Sequence, residues 1–275
     1  MTKTILITGA SRGFGRIWAE AFLKRGDKVA ATARNTDALS DLVQQYGDLI
    51  LPIQLDVNDR EACFAAVSKA KEHFGTIDVL INNAGYGLFG TIEETSEQEA
   101  RDQIETNVFG LLWMSQAIVP VMREQGKGHI IQLSSVLGMA TMPVLGVYNA
   151  SKFAVEGLSE TLASEVKGFG INVSILEPNG FATEWGGASA VHVKQEVKAY
   201  DALKQAFQSS DGMSEGAFGV PEATADAILK LVDAPNPPLR LFLGKIGLPW
   251  IKQVYAQRIE EWEAWSEVSA AAHGK

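Results

Sequence analysis

The sequence predicts an α/β protein with a doubly wound, parallel sheet of about seven strands and helices on both faces. Short apolar runs alternate with longer amphipathic stretches along the chain, and this alternation is typical of βαβ units. The apolar runs are continuous rather than alternating with polar residues, as expected for strands buried on both faces. We expect the 275 residues to form one domain, because α/β folds often reach about 250 residues as a single unit.

Turn residues such as Gly, Asp, Asn and Pro separate these runs and set the bounds of each element. The predicted strands are Thr4–Thr8, Lys28–Ala33, Ile50–Leu55, Asp78–Ile81, His129–Leu133, Ile171–Leu176 and, after a Pro-rich loop, Leu239–Leu243. The predicted helices are Gly13–Arg25, Thr36–Tyr46, Asp59–Phe74, Ser96–Glu124, Val147–Lys167 and Pro249–Val268. The last of these belongs to a C-terminal helical extension, about residues 245–275, that is too short for a core of its own.

Composition excludes several classes of function. The formal net charge is −9 and no basic block occurs, so we expect no binding to nucleic acid or to an anionic membrane. The single cysteine, Cys63, excludes an internal disulfide and a cysteine-based zinc site, and we expect no metal. The longest apolar run, residues 108–122, is shorter than the roughly 20 residues that a membrane-spanning helix needs. The apolar part of the N-terminus is too short for a signal peptide, so the expected location is cytoplasmic.

A glycine-rich turn follows the first predicted strand and opens the first predicted helix. Glycines let the backbone approach a pyrophosphate, and a helix N-terminus offers free N–H groups and the positive end of its dipole. A tight turn without a ligand would need similar glycines, but a strand before and a helix after favour nucleotide binding. The predicted contacts are Gly9, Ser11, Arg12, Gly13, Phe14 and Gly15.

Four motifs together resemble the short-chain dehydrogenase/reductase family. They are Thr-Gly-x-x-x-Gly-x-Gly at residues 8–15, Asn-Asn-Ala-Gly at 82–85, the pair Ser134 and Ser135, and Tyr148-x-x-x-Lys152. The resemblance extends from about residue 3 to residue 185 and implies a Rossmann-type sheet that binds a nicotinamide cofactor. The further cofactor contacts that it implies are Asp56, Val57, Asn83, Ala84, Gly85, Tyr148, Lys152, Pro178, Gly180 and Thr183. For Asp56, a place in the cap region of the third helix is the alternative.

The end of the second predicted strand bears on which nicotinamide cofactor binds. An acidic residue there would bind a ribose 2′-hydroxyl and repel a 2′-phosphate. The strand ends instead at Ala33 and Arg34, with no acid. Arg34 and Arg12 could both meet a 2′-phosphate through charge-assisted hydrogen bonds, or both could be ordinary solvated charges. With the resemblance, this pattern favours NADPH or NADP+ over NADH.

The predicted catalytic residues are Ser135, Tyr148, Lys152 and Asn107. Lys152 shares a helix face with Tyr148, and a nearby ammonium lowers the pKa of a phenol from its ordinary value of about 10. Tyr148 could then exchange a proton with a carbonyl or alcohol oxygen during hydride transfer, while Ser135 binds that oxygen. The resemblance implies that Lys152 also holds the nicotinamide ribose and that Asn107 anchors a water in a proton relay. A mid-helix Asn is otherwise more often a packing residue.

A second Tyr-x-x-x-Lys match, at Tyr200 and Lys204, has no strand before it and is predicted to be a solvated helix face. On the helix of Tyr148, an i+4 row predicts the face that packs in the core: Ala150, Ala154, Leu158, Leu162 and Val166. Residues off this row could contribute to the homodimer or homotetramer interface that the resemblance implies: Phe153, Gly157 and Thr161.

The resemblance places the substrate pocket after the fourth, fifth and sixth strands. Its predicted lining is largely apolar: Tyr86, Leu137, Met142, Leu145, Asn179, Phe181 and Trp185. No arginine converges there to hold an anion, so we predict an uncharged, fairly hydrophobic ketone, aldehyde or secondary alcohol. Asn179 stands where the family usually has Gly; Asn tolerates left-handed backbone, and its side chain could narrow the pocket or donate a hydrogen bond. Residues 186–217 are a candidate lid, and the C-terminal extension could cap the site or block a tetramer interface.

The leading prediction is therefore an NADPH-dependent carbonyl reductase or alcohol dehydrogenase. A nucleotide-binding regulator that has lost catalysis is an alternative, against which the complete set of Ser135, Tyr148 and Lys152 counts. A sugar-nucleotide epimerase or dehydratase is a further alternative, but those relatives resemble Thr-Gly-x-x-Gly-x-x-Gly at the first turn. A serine hydrolase is disfavoured because the chain has no Gly-x-Ser-x-Gly elbow.

Overall fold

Parallel strands form the centre of the fold. The computed structural model describes residues 2–183, 190–211 and 218–274, without the side chains of residues 208–211. Its strands are β1 (Thr4–Ile7), β2 (Lys28–Ala33), β3 (Ile50–Gln54), β4 (Val79–Asn82), β5 (Leu88–Phe89), β6 (Gly128–Leu133), β7 (Ile171–Pro178), β8 (Val191–His192) and β9 (Arg240–Leu243). Seven of them form one sheet in the order β3-β2-β1-β4-β6-β7-β9, and each neighbouring pair is parallel.

Helices cover both faces of this sheet. They are α1 (Gly13–Arg25), α2 (Ser40–Tyr46), α3 (Arg60–Phe74), α4 (Glu97–Ile104), α5 (Gly110–Gln125), α6 (Gly146–Val166), α7 (Asp201–Asp211), α8 (Thr224–Asp233), α9 (Gly247–Ala264) and α10 (Ser266–Ala271). Successive residues of β1 enter opposite cores: Ile5 and Ile7 pack with α1 and α8, whereas Leu6 packs with α3 and α5. The predicted fold class, a doubly wound α/β sheet of the Rossmann type, is confirmed.

The strand order reverses between β1 and β4. Chain connections leave β1 toward β2 on one side and leave β4 toward β6 on the other. Open α/β sheets bind ligands at such a switch point, at the carboxyl ends of the strands. The glycine turn after β1 and the Asn-Asn-Ala-Gly segment after β4 both lie there.

The long helix predicted at residues 96–124 is interrupted. It begins with a capping box, in which Ser96 and Glu99 bond each other's backbone N–H groups, and ends at Gly126 in a left-handed conformation. Between α4 and α5, residues Glu105–Phe109 form a π-helical turn. Turns of this kind are frequently found at functional sites, and this one carries Asn107.

The face of α6 that packs in the core differs from the prediction. Ala150 and Leu158 of the predicted core row are exposed, Ala154 and Leu162 are half-buried, and of that row only Val166 is buried. The buried residues of α6 are instead Tyr148, Asn149, Ser151, Lys152, Val155, Glu156, Ser159 and Val166. The row therefore packs in the core only toward its C-terminal end, at Leu162 and Val166, whereas Ala150 and Leu158 are exposed, as is Phe153 at 38%.

The C-terminal extension contains α9 and α10 and contacts the body through its first half. Ile251 is buried and Trp250 packs near Tyr148, and Arg258 Nη1 donates to the carbonyl oxygen of Met139 at 2.8 Å. Residues 259–274 are all exposed. Among the described residues, no helix is both long enough and apolar enough to span a membrane.

Candidate active site

The glycine turn after β1 has the backbone that close contact with a phosphate needs. Gly9 and Gly13 have φ values of +67° and +55°, which favour glycine. At Gly15 a Cβ atom would lie 2.4 Å from the carbonyl oxygen of Gly9, so only glycine fits between α1 and the turn. The first turn of α1 has no side-chain cap and no acidic residue, which leaves its N–H groups suited to an anion.

Asn83 and Thr8 hold this turn in place. Asn83 Nδ2 donates to the carbonyl oxygens of Thr8 and Gly9 at 2.9 and 3.0 Å. Thr8 Oγ1 accepts from the backbone N–H groups of Asn83 and Ala84 at 3.0 Å each. The loop after β4 and the loop after β1 are thus joined across the switch point. Thr8 was not predicted as a site residue, although its place at the start of the glycine motif was the available signal.

Two arginines lie near the end of β2 and the turn. Arg34 is exposed and forms no hydrogen bond or ion pair with the described residues. Arg12, also exposed, is the N-cap residue of α1. Arg16 fixes the loop after β2, since its guanidinium donates to the carbonyl oxygen of Ala38 and to the Asp41 carboxylate. Arg12 and Arg34 therefore lie exposed at this corner of the site.

Asp56 and Val57 follow β3 at the same edge of the sheet. Asp56 is exposed, and its Oδ1 accepts from the N–H of Asn58 at 3.1 Å. The cap of α3 is Asp59, whose Oδ1 accepts from the N–H of Ala62. Val57 is buried, and a Cβ on Gly110 would lie 2.7 Å from its Cγ2. Asp56 therefore forms a local turn and does not cap the helix.

Ser135, Tyr148 and Lys152 converge at the carboxyl ends of β6 and β4. Ser135 follows β6 and hydrogen-bonds through its side chain to Tyr148; its Oγ also accepts from the N–H of Leu137 at 3.1 Å. Lys152 Nζ lies 5.7 Å from the centroid of the Tyr148 ring. The ammonium donates to the carbonyl oxygen of Leu133, the last residue of β6, at 2.7 Å. The three predicted catalytic side chains thus meet in space.

Burial shifts both titratable groups of this set toward neutrality. Tyr148 and Lys152 are 5% and 6% exposed. Burial raises the pKa of Tyr148, against the hydrogen bond with Ser135. Burial lowers the pKa of Lys152 to about 8, against the negative charge of Glu156. A lysine with this pKa is still mostly protonated at neutral pH, so its positive charge is available beside the phenol.

Asn107 binds the loop that carries Tyr86. Its Oδ1 accepts from the Tyr86 N–H at 3.0 Å, and its Nδ2 donates to the Tyr86 carbonyl oxygen at 3.0 Å and to Ser151 Oγ at 3.1 Å. A Cβ on Gly85 would lie 2.9 Å from Asn107 Oδ1 and 4.0 Å from Lys152 Nζ. Asn107 is therefore close to Lys152, but both amide hydrogens of its side chain are donated to the protein.

An apolar cluster surrounds Tyr148. Its buried members are Phe89, Val136, Leu137, Val144, Leu145, Tyr148 and Phe207, and Met142, Ala190, Phe242 and Trp250 pack against them. Leu137, Met142 and Leu145 were predicted as pocket residues, whereas Phe207 and Trp250 come from the segment predicted to be a lid and from the C-terminal extension. Val144 has a φ of +67°, alone among the described non-glycine residues in having a positive φ, and backbone strain of this kind concentrates at functional sites.

Two residues predicted for the pocket have other surroundings, and a third, Tyr86, is half-buried. Asn179 has no left-handed backbone; its Nδ2 donates to the Gly180 carbonyl oxygen at 2.9 Å. The Asn179 amide lies against Gly244, where a Cβ would be 1.8 Å from Oδ1, so it packs beside β9. The Phe181 ring packs edge-on against Phe14 at 5.2 Å, on the α1 side of the sheet. Burial raises the pKa of Tyr86 to about 12.

The remaining predicted residues lie around the same edge. Phe14 stacks on Trp18, with ring centroids 5.2 Å apart. Pro178 ends β7, and the N–H of Thr183 donates to the carbonyl oxygen of Phe181 at 2.8 Å. Gly180 is exposed. Trp185 lies outside the described residues, as do residues 186–189 and 212–217 of the predicted lid.

Residues 190–211, the described part of the segment predicted to be a lid, contact acidic residues after β5. Strand β8 pairs with β5. Tyr200 Oη donates to Glu93 Oε2 at 2.6 Å, and Lys204 Nζ contacts Glu94 Oε1 at 2.8 Å. The Lys204 hydrogen bond and further backbone donors lower the pKa of Glu94 to about 2. The second Tyr-x-x-x-Lys match is thus bound to the protein body, and its prediction as a solvated helix face was wrong.

Comparison with known proteins agrees with this geometry. The sequence profile described as short chain dehydrogenase matches residues 3–194. The chain belongs to the short-chain dehydrogenase/reductase family. This short-chain dehydrogenase is 39% identical over 274 residues to Oxidoreductase BOA17 of Botryotinia fuckeliana, covering 99% of this chain and 100% of that one. It is 36% identical over 247 residues to a 3-ketodihydrosphingosine reductase of Bacteroides thetaiotaomicron, covering 89% and 88% of the two chains.

Solved structures of the family are similar in fold. A short-chain dehydrogenase from Streptomyces avermitilis superposes with a TM-score of 0.90 at 39% identity, covering 98% of each chain. A Burkholderia cenocepacia enzyme in complex with NADP has a TM-score of 0.76 at 25% identity, covering 96% of this chain and 97% of that one. A Burkholderia phymatum enzyme in complex with NAD has a TM-score of 0.80 at 26% identity, covering 96% and 95%. The chain is therefore an oxidoreductase of this family, whose neighbours bind nicotinamide cofactors.

Proposed function

We propose that this short-chain dehydrogenase uses NADPH or NADP+ to interconvert an uncharged, fairly hydrophobic ketone or aldehyde and the corresponding alcohol. The observation that carries the proposal is the meeting of Ser135, Tyr148 and Lys152 inside an apolar cluster. The bound nicotinamide supplies or accepts the hydride. The residues of the chain are left to bind the substrate oxygen and to move one proton.

In the reductive direction, Tyr148 gives its phenolic proton to the carbonyl oxygen as that oxygen becomes negative. Ser135 donates a hydrogen bond to the same oxygen and stabilises the developing charge. The Lys152 ammonium, 5.7 Å from the ring centroid, favours the phenolate that remains and would also hold the nicotinamide ribose. Asn107 fixes the backbone of Tyr86 near Lys152, so we assign its side chain the role of shaping this corner rather than of anchoring a relay water.

Cofactor choice is proposed from the charges beside the glycine turn. Arg34 is exposed after β2, and Arg12 begins α1. A guanidinium can hold a phosphate through two parallel hydrogen bonds, and an acid that would repel it is missing. We propose a preference for NADPH; replacement of Arg34 by Asp should invert it, because the carboxylate would bind the 2′-hydroxyl of NADH instead.

The substrate class is proposed from the apolar lining. Leu137, Val144, Leu145 and Phe207 are buried around Tyr148, and apolar walls with few polar groups suit uncharged ligands. The name of the Bacteroides relative gives it a keto substrate.

We also propose a cytoplasmic location, with which the buried, free Cys63 is compatible. The exposed apolar residues of α6, such as Phe153, are compatible with the homodimer or homotetramer that we propose.

The test is NADPH oxidation, with NADH in parallel, against a panel of aryl, aliphatic and steroidal ketones. Tyr148→Phe should lose about 10²- to 10⁴-fold in turnover while still binding NADPH. Tyr200→Phe, in the second Tyr-x-x-x-Lys match, is the matched control. Its turnover should stay within about tenfold of that of the wild type, because the Tyr200 hydroxyl binds Glu93 and lies outside the cluster around Tyr148. Equal turnover of Tyr148→Phe and the wild type would refute the assignment. Tight NADPH binding with no turnover of any carbonyl would favour the silent regulator.

A further inference from the structure

One arginine holds three carboxylates behind the active-site helix. Arg240 on β9 contacts Glu156 and Glu177 through the same nitrogen, Nη1, and Glu160 through Nη2. The distances are 3.0 Å to Glu177 Oε1 and 3.0 Å to Glu160 Oε2. The side chains of Glu156 and Glu177 are 8% and 0% exposed, whereas that of Glu160 is 62% exposed. Two of the three carboxylates are therefore buried together on one positive charge.

Each buried carboxylate keeps one oxygen without a partner. Glu156 Oε1 and Glu177 Oε2 are buried and form no hydrogen bond with the described residues. A buried, ionised oxygen with no donor carries a large desolvation cost. Arg240 Nη1 contacts Glu156 Oε2 and Glu177 Oε1, so the two carboxylates lie beside the same nitrogen, and a single proton held between them would give both orphan oxygens a partner. Two neighbouring carboxyl groups also cannot both ionise easily, because their negative charges repel each other.

We propose that Glu156 and Glu177 share one proton as a carboxylic acid–carboxylate pair, and that this pair positions α6 and thereby Lys152. Glu156 follows Lys152 by one helical turn, and Glu177 directly precedes the end of β7. With Arg240, the pair ties α6 to β7 and β9. Burial, together with the charge of Glu156, raises the pKa of Glu177 to about 7 despite Arg240, in agreement with a proton retained near neutral pH.

The charge that remains on the pair acts on Lys152. The other charged groups around the pair are Lys152 and Glu160 on α6 and Arg240 on β9, among the described residues. Burial lowers the pKa of Lys152, and the negative charge of Glu156 opposes this effect. Glu156 is thus a positioning residue that keeps the buried ammonium protonated. This second part rests on the proposed function, whereas the shared proton does not.

The first experiment measures unfolding by urea from pH 5 to pH 8 and needs no substrate. The folded pKa of Glu177 lies above its ordinary value of 4.5, so its contribution is present at low pH and is lost as the pH rises through about 7. Glu177→Gln places an amide donor at the position of the shared proton. Between pH 5 and pH 8, its folding equilibrium constant relative to the wild type should therefore rise about 100-fold.

Glu160→Gln, on the same arginine but exposed, is the control and should show no such trend. Glu156→Gln also removes the pair and should show the same trend as Glu177→Gln, and the double variant should add little, because only one proton is shared. If the difference between Glu177→Gln and the wild type is independent of pH, the carboxylates share no proton and the proposal is overturned.

The second experiment measures NADPH affinity by fluorescence between pH 6.5 and pH 9.5. The wild type should lose affinity as the pH rises through about 8, and Glu156→Gln should lose it at a pH roughly one unit lower. Glu160→Gln should follow the wild type. An unchanged pH profile for Glu156→Gln would show that Glu156 does not act on Lys152. If the wild type binds no NADPH at any pH, the proposed function fails, and the urea experiment still decides the shared proton.

Discussion

Replacing Gly15 by alanine tests the packing on which the cofactor turn depends. The added Cβ would lie 2.4 Å from the carbonyl oxygen of Gly9 and 2.5 Å from Asn83 Nδ2. The first contact is about 1 Å inside ordinary van der Waals distance, and its partner is backbone that cannot rotate away. Either α1 or the turn must move, and the hydrogen bonds from Asn83 to Thr8 and Gly9 must lengthen.

The cost of overpacking of this kind is typically about 1–3 kcal/mol. We expect the upper part of that range, because Gly9 also approaches Ala84, to which a Cβ on Gly9 would be 3.0 Å away. If most of the strain is relieved by moving the turn, NADPH affinity should fall by roughly 30- to 150-fold, since 1.4 kcal/mol corresponds to a factor of about ten. Fluorescence titration measures the affinity, and thermal unfolding shows whether the variant is folded.

Gly13→Ala is the matched control two residues earlier. Its Cβ would have no atom within 4 Å, and its φ of +55° should cost only about 1–2 kcal/mol of left-handed strain. Gly15→Ala should therefore weaken NADPH binding more than Gly13→Ala does. If Gly15→Ala binds NADPH within about twofold of the wild type, the contact between Gly15 and Gly9 does not set the shape of the site.

Three further predictions test the lid, the core and the surface. Glu94→Gln removes the ion-pair partner of Lys204 and so loosens the predicted lid, and KM for a carbonyl substrate should rise on the order of tenfold. The Kd for NADPH should stay constant, and a parallel change in KM and Kd would contradict a role confined to the lid. Burial lowers the pKa of His129 to about 4, below the ordinary histidine value of 6.5, so its contribution to stability is present above about pH 6.5 and is lost as the pH falls through 4. In urea unfolding, His129→Gln should reduce the stability lost between pH 7 and pH 4 by about 3 kcal/mol, and an unchanged dependence on acid pH would refute this prediction. Phe153→Asp places a charge on the exposed side of α6, where Phe153 is 38% exposed. Burying this charge in an interface would cost several kcal/mol of desolvation, so an oligomer should dissociate to monomers in sedimentation velocity, and an unchanged sedimentation coefficient would place the interface elsewhere.

Strand bounds could be predicted from the sequence because each strand is buried on both faces. Lys28–Ala33 was predicted with the bounds of β2, and the other main-sheet strands differ by one or two residues at one or both ends. Continuous apolar runs bounded by turn residues leave little choice in such a sheet. The two-residue strands β5 and β8 were missed, since their pairing joins segments about a hundred residues apart and no local pattern marks it.

Interactions distant in sequence explain the other differences. The π-helical turn at residues 105–109 coincides with Asn107, whose partners Tyr86 and Ser151 lie 21 and 44 residues away. Asn179 was placed in the pocket because its neighbours are family motifs. Its amide instead lies against Gly244, a residue that no motif includes. The sequence indicated which residues meet at the strand ends, but not which way each side chain turns.

Helix α6 is where a criterion of hydrophobicity alone gives the wrong face. Its inward row at i+4 spacing is polar: Tyr148, Lys152 and Glu156 are all buried, whereas Leu158 on the apolar row is exposed. Burying these groups is costly unless each is paired, and each has a partner in Ser135, the Leu133 carbonyl oxygen or Arg240. A polar row that a helix buries at this cost conflicts with local patterning, and such conflicts are expected at functional sites. Tyr200 of the second Tyr-x-x-x-Lys match is not buried in this way: its hydroxyl donates to the exposed Glu93 carboxylate, and Tyr200 is not a member of the apolar cluster around Tyr148.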